Sequence, residues 1–379
     1  MKMSWQRYGL VSLLFLAPQL ANATPALTMH VFAEAGNRAN ETITQHDAGK
    51  GLKVHVFSQQ RMAGKKLPED TLAKNTQQPV SFNKQESEVY FSSGYRLDEL
   101  DWNIAGPNGS PNIISELTWS DIELMTFELG VRRYFSANCL AGFEASYGYV
   151  FNGDNQDSDY LGNNRTQEFS RSNNNADSGM AIDASVYAGY KLKLVENNEQ
   201  ALHLIPKVGF SYASQFMRMK NGNQTLSEPA PAFGITEDNL MPLGSFSGLD
   251  SKYDATWFGP WLGLESELEL SRSLHVSLNL EYHYAYYDAT ADWNLRSDFQ
   301  HPESYTQEAE GYGLVSNIEA KYRLSKKSSV QLSVDYEDWN ADKGGKQNFK
   351  FANDIERTST LNEVNRRSKG INVGFSYAF

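Results

Sequence analysis

Apolar and polar residues alternate with a period of two along most of the chain beyond residue 86. From Leu274, the positions Leu274, Val276, Leu278, Leu280, Tyr282, Tyr284 and Tyr286 are apolar or aromatic, and His275, Ser277, Asn279, Glu281 and His283 lie between them. Successive side chains of a strand point to opposite faces, so this run predicts a strand with one apolar and one polar face. A second run carries Leu314, Ile318, Ala320, Tyr322 and Leu324 on one parity and Asn317, Glu319, Lys321 and Arg323 on the other. A third sets Ile182, Val186, Tyr190 and Leu192 against Asp183, Ser185 and Lys191, and Leu204, Val208, Phe210 and Tyr212 repeat the pattern. Strand starts fall near residues 88, 114, 138, 179, 201, 253, 274, 310, 329 and 368, which predicts ten strands.

The connections alternate in length. Those near 195–200, 271–273 and 325–328 are short, whereas 152–178, 220–252, 292–308 and 345–362 are long, polar stretches rich in Asn, Asp, Gly and Ser. Short turns on one side and long loops on the other, with apolar side chains on one parity, predict an all-β antiparallel transmembrane β-barrel with its long loops extracellular. An even strand count closes the barrel and removes the edges that lipid would not tolerate. The last segment, GINVGFSYAF, places Ile371, Val373, Phe375, Tyr377 and Phe379 on one face. A final amphipathic strand ending in Phe resembles the signal read by the outer-membrane barrel assembly machinery, so Phe379 is the expected contact with that machinery.

Composition agrees. Aromatic residues make up 12% of the chain although hydrophobic residues reach only 40%, a mixture suited to a barrel with a wet interior and aromatic girdles. Residues 1–23 have a basic start at Lys2 and Arg7, a short apolar run and a closing Ala21-Asn22-Ala23, the pattern of a secretory signal peptide cut before Thr24. The mature chain is expected in the outer membrane of a Gram-negative bacterium. Residues 24–85 are polar and read as a periplasmic extension, a plug, or two further strands that would make the barrel twelve-stranded; residues 86–379 are the barrel. The net charge of −12 argues against nucleic acid as a partner and favours cationic ones such as basic peptides. The lone Cys139 rules out an internal disulfide and reads as a small packing residue at a strand start.

No nucleophile elbow, phosphate loop or cysteine-based metal spacing is present, and no metal site is expected. His275 and His283, on the polar parity, read as members of a hydrogen-bond network. Carboxylates concentrate where two long loops begin: Asp154, Asp157 and Asp159 in NGDNQDSDYLGNN, and Asp288 and Asp292 in YHYAYYDATADWN. Aspartates at i and i+2 of an extended segment point the same way, and such a pair can hold a water when one stays ionised and the other is protonated. Clusters of Asp, Asn and Gly also form ordinary turns.

The order of these features resembles the omptin family, ten-stranded outer-membrane endoproteases with a site at the extracellular mouth. SEVYFSSGYRLDELDWNIAG resembles the first omptin strand, NQDSDYLG the second-loop motif, YHYAYYDATADWN the seventh strand and fourth loop, and NVGFSYAF the closing strand; together these span roughly 86–379. The resemblance puts Asp157 and Asp159 in the place of the water-binding pair and Asp292 in the place of the dyad aspartate. It puts Asn294 where the family carries its histidine. Asparagine cannot take a proton from water near neutral pH, so the family's base is missing. The pocket for a basic substrate side chain has Thr290 at one acidic place, leaving Glu86 or Glu88 and Asp288 as substrate-binding candidates. His301, nine residues after Asp292, is the expected stand-in base if the loop folds back.

Three readings follow: an omptin-like surface endopeptidase with an altered base, a non-catalytic binding or structural barrel, and a small porin. The narrow interior of a ten-stranded barrel ranks the porin last. No cofactor is expected; lipopolysaccharide is the one accessory molecule the resemblance implies. Oligomeric state is not encoded in any of these features.

Overall fold

The computed structural model describes residues 87–196 and 200–379 in full, and before them only the backbone of three short strands. Leu27–His30 pairs in parallel with Leu52–Val56, which pairs antiparallel with Thr44–Ala48. These strands form a sheet of their own, so they do not extend the barrel to twelve. The segment 1–23 and most of 24–85 lie outside the described residues.

Ten strands form one closed antiparallel ring. They are β1 (Glu88–Ile104), β2 (Ser115–Tyr134), β3 (Cys139–Gly162), β4 in three pieces (Thr166–Asn175, Gly179–Tyr190 and Leu192–Glu196) and β5 (Ala201–Ser227). They continue as β6 (Asp250–Glu269), β7 (Leu274–Asp292), β8 (Tyr305–Arg323), β9 (Ser328–Lys350) and β10 (Glu356–Ala378). Each strand pairs with its neighbour in sequence, and β10 pairs with β1 from Ala378↔Glu88 to Leu361↔Ile104. The turns 135–138, 270–273 and 324–327 lie at one end with residues 88 and 378; the connections 105–114, 228–249, 293–304 and 351–355 lie at the other.

The outer face of the wall carries an apolar band, with Phe127 and Leu129, Tyr282 and Tyr284, Leu332 and Val334, and Val373 and Phe375 all exposed. Exposed apolar side chains on every strand of a closed barrel are stable only against lipid. Cys139 is exposed on this outer parity, so it does not pack as expected.

The strands are longer than the apolar alternation implies. At the long-loop end β3 and β4 run on as a hairpin to a three-residue turn at 163–165, and β5, β9 and β10 also reach into the segments expected to be loops. Roughly 9–11 residues suffice for a strand to cross a bilayer, whereas the nine uninterrupted strands run from 17 to 27 residues. Beyond the lipid the outer face no longer needs apolar side chains, so the hydropathy pattern fades while the hydrogen-bond ladder continues.

The interior is filled by two layers. In the short-turn half, ion pairs cross the lumen: Arg132 of β2 bonds Glu265 and Glu267 of β6 at 2.8–2.9 Å, and Arg96 of β1 bonds Asp183 of β4 at 2.6 Å. His283 sits in such a network, between Ser211 at 3.0 Å and Glu281 at 2.9 Å. Above it lies an aromatic layer. Trp102 of β1 and Tyr253 of β6, from opposite walls, have ring centroids 6.2 Å apart; Trp119 stacks on Tyr253 at 4.7 Å, and Trp257 meets Tyr287 at 4.6 Å. Rings from opposite walls in contact leave no open channel at that level.

Candidate functional site at the barrel mouth

Whether a carboxylate at the mouth faces inward depends on strand register. In the lipid-spanning part of β3 the inward residues are even-numbered, among them Leu140, Gly148 and Val150. Between Leu124↔Val150 and Ser120↔Asp154 the β2–β3 ladder is locally irregular in both strands, and the register is the same on either side. This irregularity, a β-bulge in kind, resets the parity. Asp154 becomes exposed, and Asn155, Asp157 and Asp159 turn inward opposite Trp119, Leu117 and Ser115. The two aspartates meet as the i, i+2 spacing anticipates.

Their surroundings are apolar, aromatic and weakly cationic. Burial pushes the Asp157 carboxyl well above the usual carboxylate range, the charge of Asp159 adds to this, and the Arg296 guanidinium opposes it. Burial raises Asp159 to about 6, against a hydrogen bond from Ser115 and the same Arg296. Burial and the mutual repulsion of the two carboxyls therefore disfavour ionising both, so the pair favours a shared proton. Tyr305, itself stacked edge-on against Trp102 at 5.9 Å and Trp293 at 4.9 Å, feels the charge of Asp157, so the aromatic layer is the floor of the site.

Arg296 arrives on the 293–304 connection. Its guanidinium makes two 2.8 Å bonds to Asp298 and lies 4.4 Å from the centre of the Phe299 ring. Phe299 packs against Phe351 at 5.1 Å, which ties the connection to the end of β9. Thus the positive charge nearest the aspartate pair is engaged elsewhere and acts on it through space.

The remaining residues do not join this site. In β7 the register with β8 runs unbroken from Leu274↔Tyr322 to Ala291↔Tyr305. Without a bulge the inward parity stays odd, so Ala289 and Ala291 are buried while Asp288 and Thr290 are exposed on the outer face. The expected substrate-binding role of Asp288 is therefore at odds with its direction; its register partner is the like-charged Glu308. Glu88 is the first residue of β1, at the short-turn end, where it accepts a 2.7 Å bond from Lys321. A 17-residue strand separates it from the mouth, which removes it from any pocket there. Glu86 lies outside the described residues.

Asn294 accepts hydrogen bonds from Asp250 N at 2.9 Å and Ser251 Oγ at 3.1 Å and donates to Gly248 O at 2.7 Å. Its amide pins the segment leading into β6 and does not face Asp157. Asp292 follows the outward parity, and the inward position passes to Trp293. The connection does fold back: His301 Nδ1 lies 2.6 Å from Asp292 Oδ1, with the imidazole 39% exposed. Asp292 thus lies on the outward parity of β7, whereas Asp157 and Asp159 lie on the inward parity of β3.

Arg296, Tyr305, Trp102 and Trp119 belong to the site without any acidic or motif signal in the sequence. A parity signal for the tryptophans was present: Trp102 shares the parity of Arg96 and Asp98, which marks an aromatic side chain pointing into the lumen.

Comparison with known proteins places this geometry. A family model described as Pom, Protochlamydia outer membrane protein, matches residues 90–379. No curated protein matches the chain. Among solved structures, the outer membrane protease OmpT from Escherichia coli is similar at 12% identity, with a TM-score of 0.62 over 79% of this chain and 99% of that one. The translocator domain of the autotransporter NalP from Neisseria meningitidis matches at 12% identity and a TM-score of 0.30, over 79% of this chain and 91% of that one. OprG from Pseudomonas aeruginosa matches at 10% identity and a TM-score of 0.29, over 78% and 96% of the two chains. At these identities the likeness to OmpT is one of fold.

Proposed function

This chain belongs to the Protochlamydia outer membrane protein family, and from that premise we propose that it is a closed outer-membrane barrel whose long-loop end faces the cell exterior and binds cationic groups, such as the Lys or Arg side chains of peptides, at Asp157 and Asp159. The observation that carries this reading is the inward-facing aspartate pair on an aromatic floor, with its nearest cation, Arg296, bonded to Asp298 instead. A ligand cation would draw the shared proton off the pair and stack against Trp or Tyr faces, both favourable terms. Peptide hydrolysis of the omptin kind is disfavoured, because Asn294 is committed to the base of β6 and the Asp292–His301 pair lies on the outer parity.

The test is a labelled basic peptide titrated onto protein refolded with lipopolysaccharide, with binding and cleavage read together. Saturable binding lost in the Asp157→Asn/Asp159→Asn double variant is expected, without cleavage and with none gained on Asn294→His. Cleavage abolished by Asp157→Ala would overturn this reading in favour of an endopeptidase.

A second reading, a small pore, has one observation behind it. Below the aromatic layer the short-turn half of the lumen holds a charged cavity of about 910 Å³. Steady single-channel conductance of the unmodified protein in planar bilayers would establish the pore.

A further inference from the structure

The cavity in the short-turn half opens between the turns at Arg272–Ser273 and Leu324–Lys327 and is roofed by Trp339 and His283. The cations deep in the cavity have carboxylate partners, whereas among the described residues Arg272, Arg323, Lys326 and Lys327 line its short-turn rim without one. Arg132 is held by Glu265 and Glu267, Lys207 by Glu265, and Lys321 by Glu88 and Glu319. Four of its carboxylates have no cation within 4 Å among the described residues: Glu128, Glu144 and Asp335, and Glu269 at the short-turn end of β6. Glu128 accepts from Tyr90 OH at 2.7 Å and Ser92 Oγ at 3.1 Å, and Asp335 accepts from the amides of Asn317 and Asn372 at 2.5 and 2.8 Å. Glu144 and Asp335 are close enough for their charges to act on Glu128.

A second observation points the same way. Gln331 is 6% exposed, lines this cavity, and leaves its Oε1 without a hydrogen-bond partner. It lies in one lateral row with Glu128, through the register Gln331↔Gly374, Gly374↔Ser92 and Ser92↔Glu128. The glycine between them keeps the row open: a Cβ at Gly374 would come within 2.9 Å of both Gln331 Cγ and Ser92 Cβ. A buried acceptor left unpaired costs free energy unless something donates to it. Three carboxylates without a cation in direct contact and an unpaired carbonyl around one cavity form a set of acceptors for a donor that carries positive charge.

We propose that this cavity binds a small organic dication, an aliphatic diamine, entering from the short-turn end. One ammonium would lie between Glu128 and Glu144 and the other would reach Asp335 and Gln331 Oε1. An ammonium supplies three N–H donors and no acceptor, which suits a wall of acceptors. A directly coordinated metal ion suits it less, since no group of three or more His, Cys, Asp or Glu side chains among the described residues is placed to share one. The site is separated from the mouth by the aromatic layer, so it stands independently of the function proposed for Asp157 and Asp159.

Calorimetric titration of the refolded full chain with putrescine tests this, with magnesium chloride titrated in parallel. Saturable putrescine binding, at least tenfold weaker in Glu128→Gln/Glu144→Gln and unchanged in Asp338→Asn on the outer face, is expected. The two glutamines are isosteric and uncharged, and the circular dichroism and heat-modifiable gel mobility of each variant verify that the barrel has formed. Absence of putrescine binding to the folded wild type overturns the proposal, as does binding indifferent to the double substitution. Magnesium binding that displaces putrescine at equal concentration overturns the choice of an organic dication.

Discussion

Replacing Asp159 by Asn tests the electrostatics of the mouth while keeping its shape. In the folded barrel, burial holds the Asp159 carboxyl up at about 6, whereas an unfolded aspartate titrates near ~3.9. The folded state thus binds this proton more tightly than the unfolded chain. The stability it contributes is fully present below about pH 4 and is lost as pH rises through about 6. Roughly two pH units of difference correspond to about 3 kcal/mol. Asparagine does not ionise and retains an acceptor for Ser115, so the variant escapes the loss. It should be more stable than the wild type by about 2–3 kcal/mol at pH 8, and nearly equal to it at pH 4. Asp157 shifts the result in the same direction, because part of its own elevation comes from the charge of Asp159.

The assay is equilibrium unfolding in urea followed by tryptophan fluorescence at pH 4, 6 and 8. Trp119 lies directly across the β2–β3 ladder from Asn155, two residues before Asp157, so the emission reports on this region. A stabilisation that grows with pH is the expected signature. An Asp159→Asn variant less stable than the wild type at pH 8, or an equal offset at pH 4 and pH 8, would refute the reasoning. The first result means that Asp159 is ionised and favourably paired; the second means that it is solvated like any surface carboxylate.

Three other changes probe the rest of the lumen. Trp119→Ala removes a fully buried ring stacked on Tyr253 and should cost about 3–5 kcal/mol in urea unfolding, while conductance steps absent from the wild type appear in planar bilayers. Arg132→Met takes two hydrogen bonds from Glu265 and one from Glu267, leaving Glu265 to Lys207 alone, and should destabilise the barrel by about 2–3 kcal/mol in the same unfolding assay. Asn294→Ala frees three hydrogen bonds at the base of β6 and should cost about 1–3 kcal/mol, with peptide binding at Asp157 and Asp159 retained when measured by titration.

The wall was legible in the sequence because lipid imposes a strict rule on it. Tyr282, Tyr284 and Tyr286 alternate with His283 and Ala285 since a membrane strand must show apolar groups on one side only. That rule ends where the lipid ends. Above Tyr286 on β7 and Phe151 on β3 the sheet continues in water, and either face accepts polar residues. The ladder there is held by backbone hydrogen bonds, which leave no hydropathy signature, so 152–178 and 345–362 read as loops although strands fill most of them.

The same loss of signal explains the mixed outcome at the mouth. Direction depends on counting parity outward from the membrane, and a bulge that takes up one residue inverts every residue beyond it. β3 has such a bulge where it pairs with β2, and the β7–β8 ladder has none, so two acidic motifs that look alike in the sequence end on opposite parities: Asp157 and Asp159 on the inward one, Asp288 and Asp292 on the outward one. The bulge leaves few marks in composition; Gly153 beside it and Asp121 across from it, with φ of 52°, are the local concessions to its geometry. A resemblance built on motif order matches both acidic segments equally well, because order along the chain carries no parity. What separates a lumenal pair from an outward-facing one is a bulge in the strand that carries it, which only the folded ladder displays.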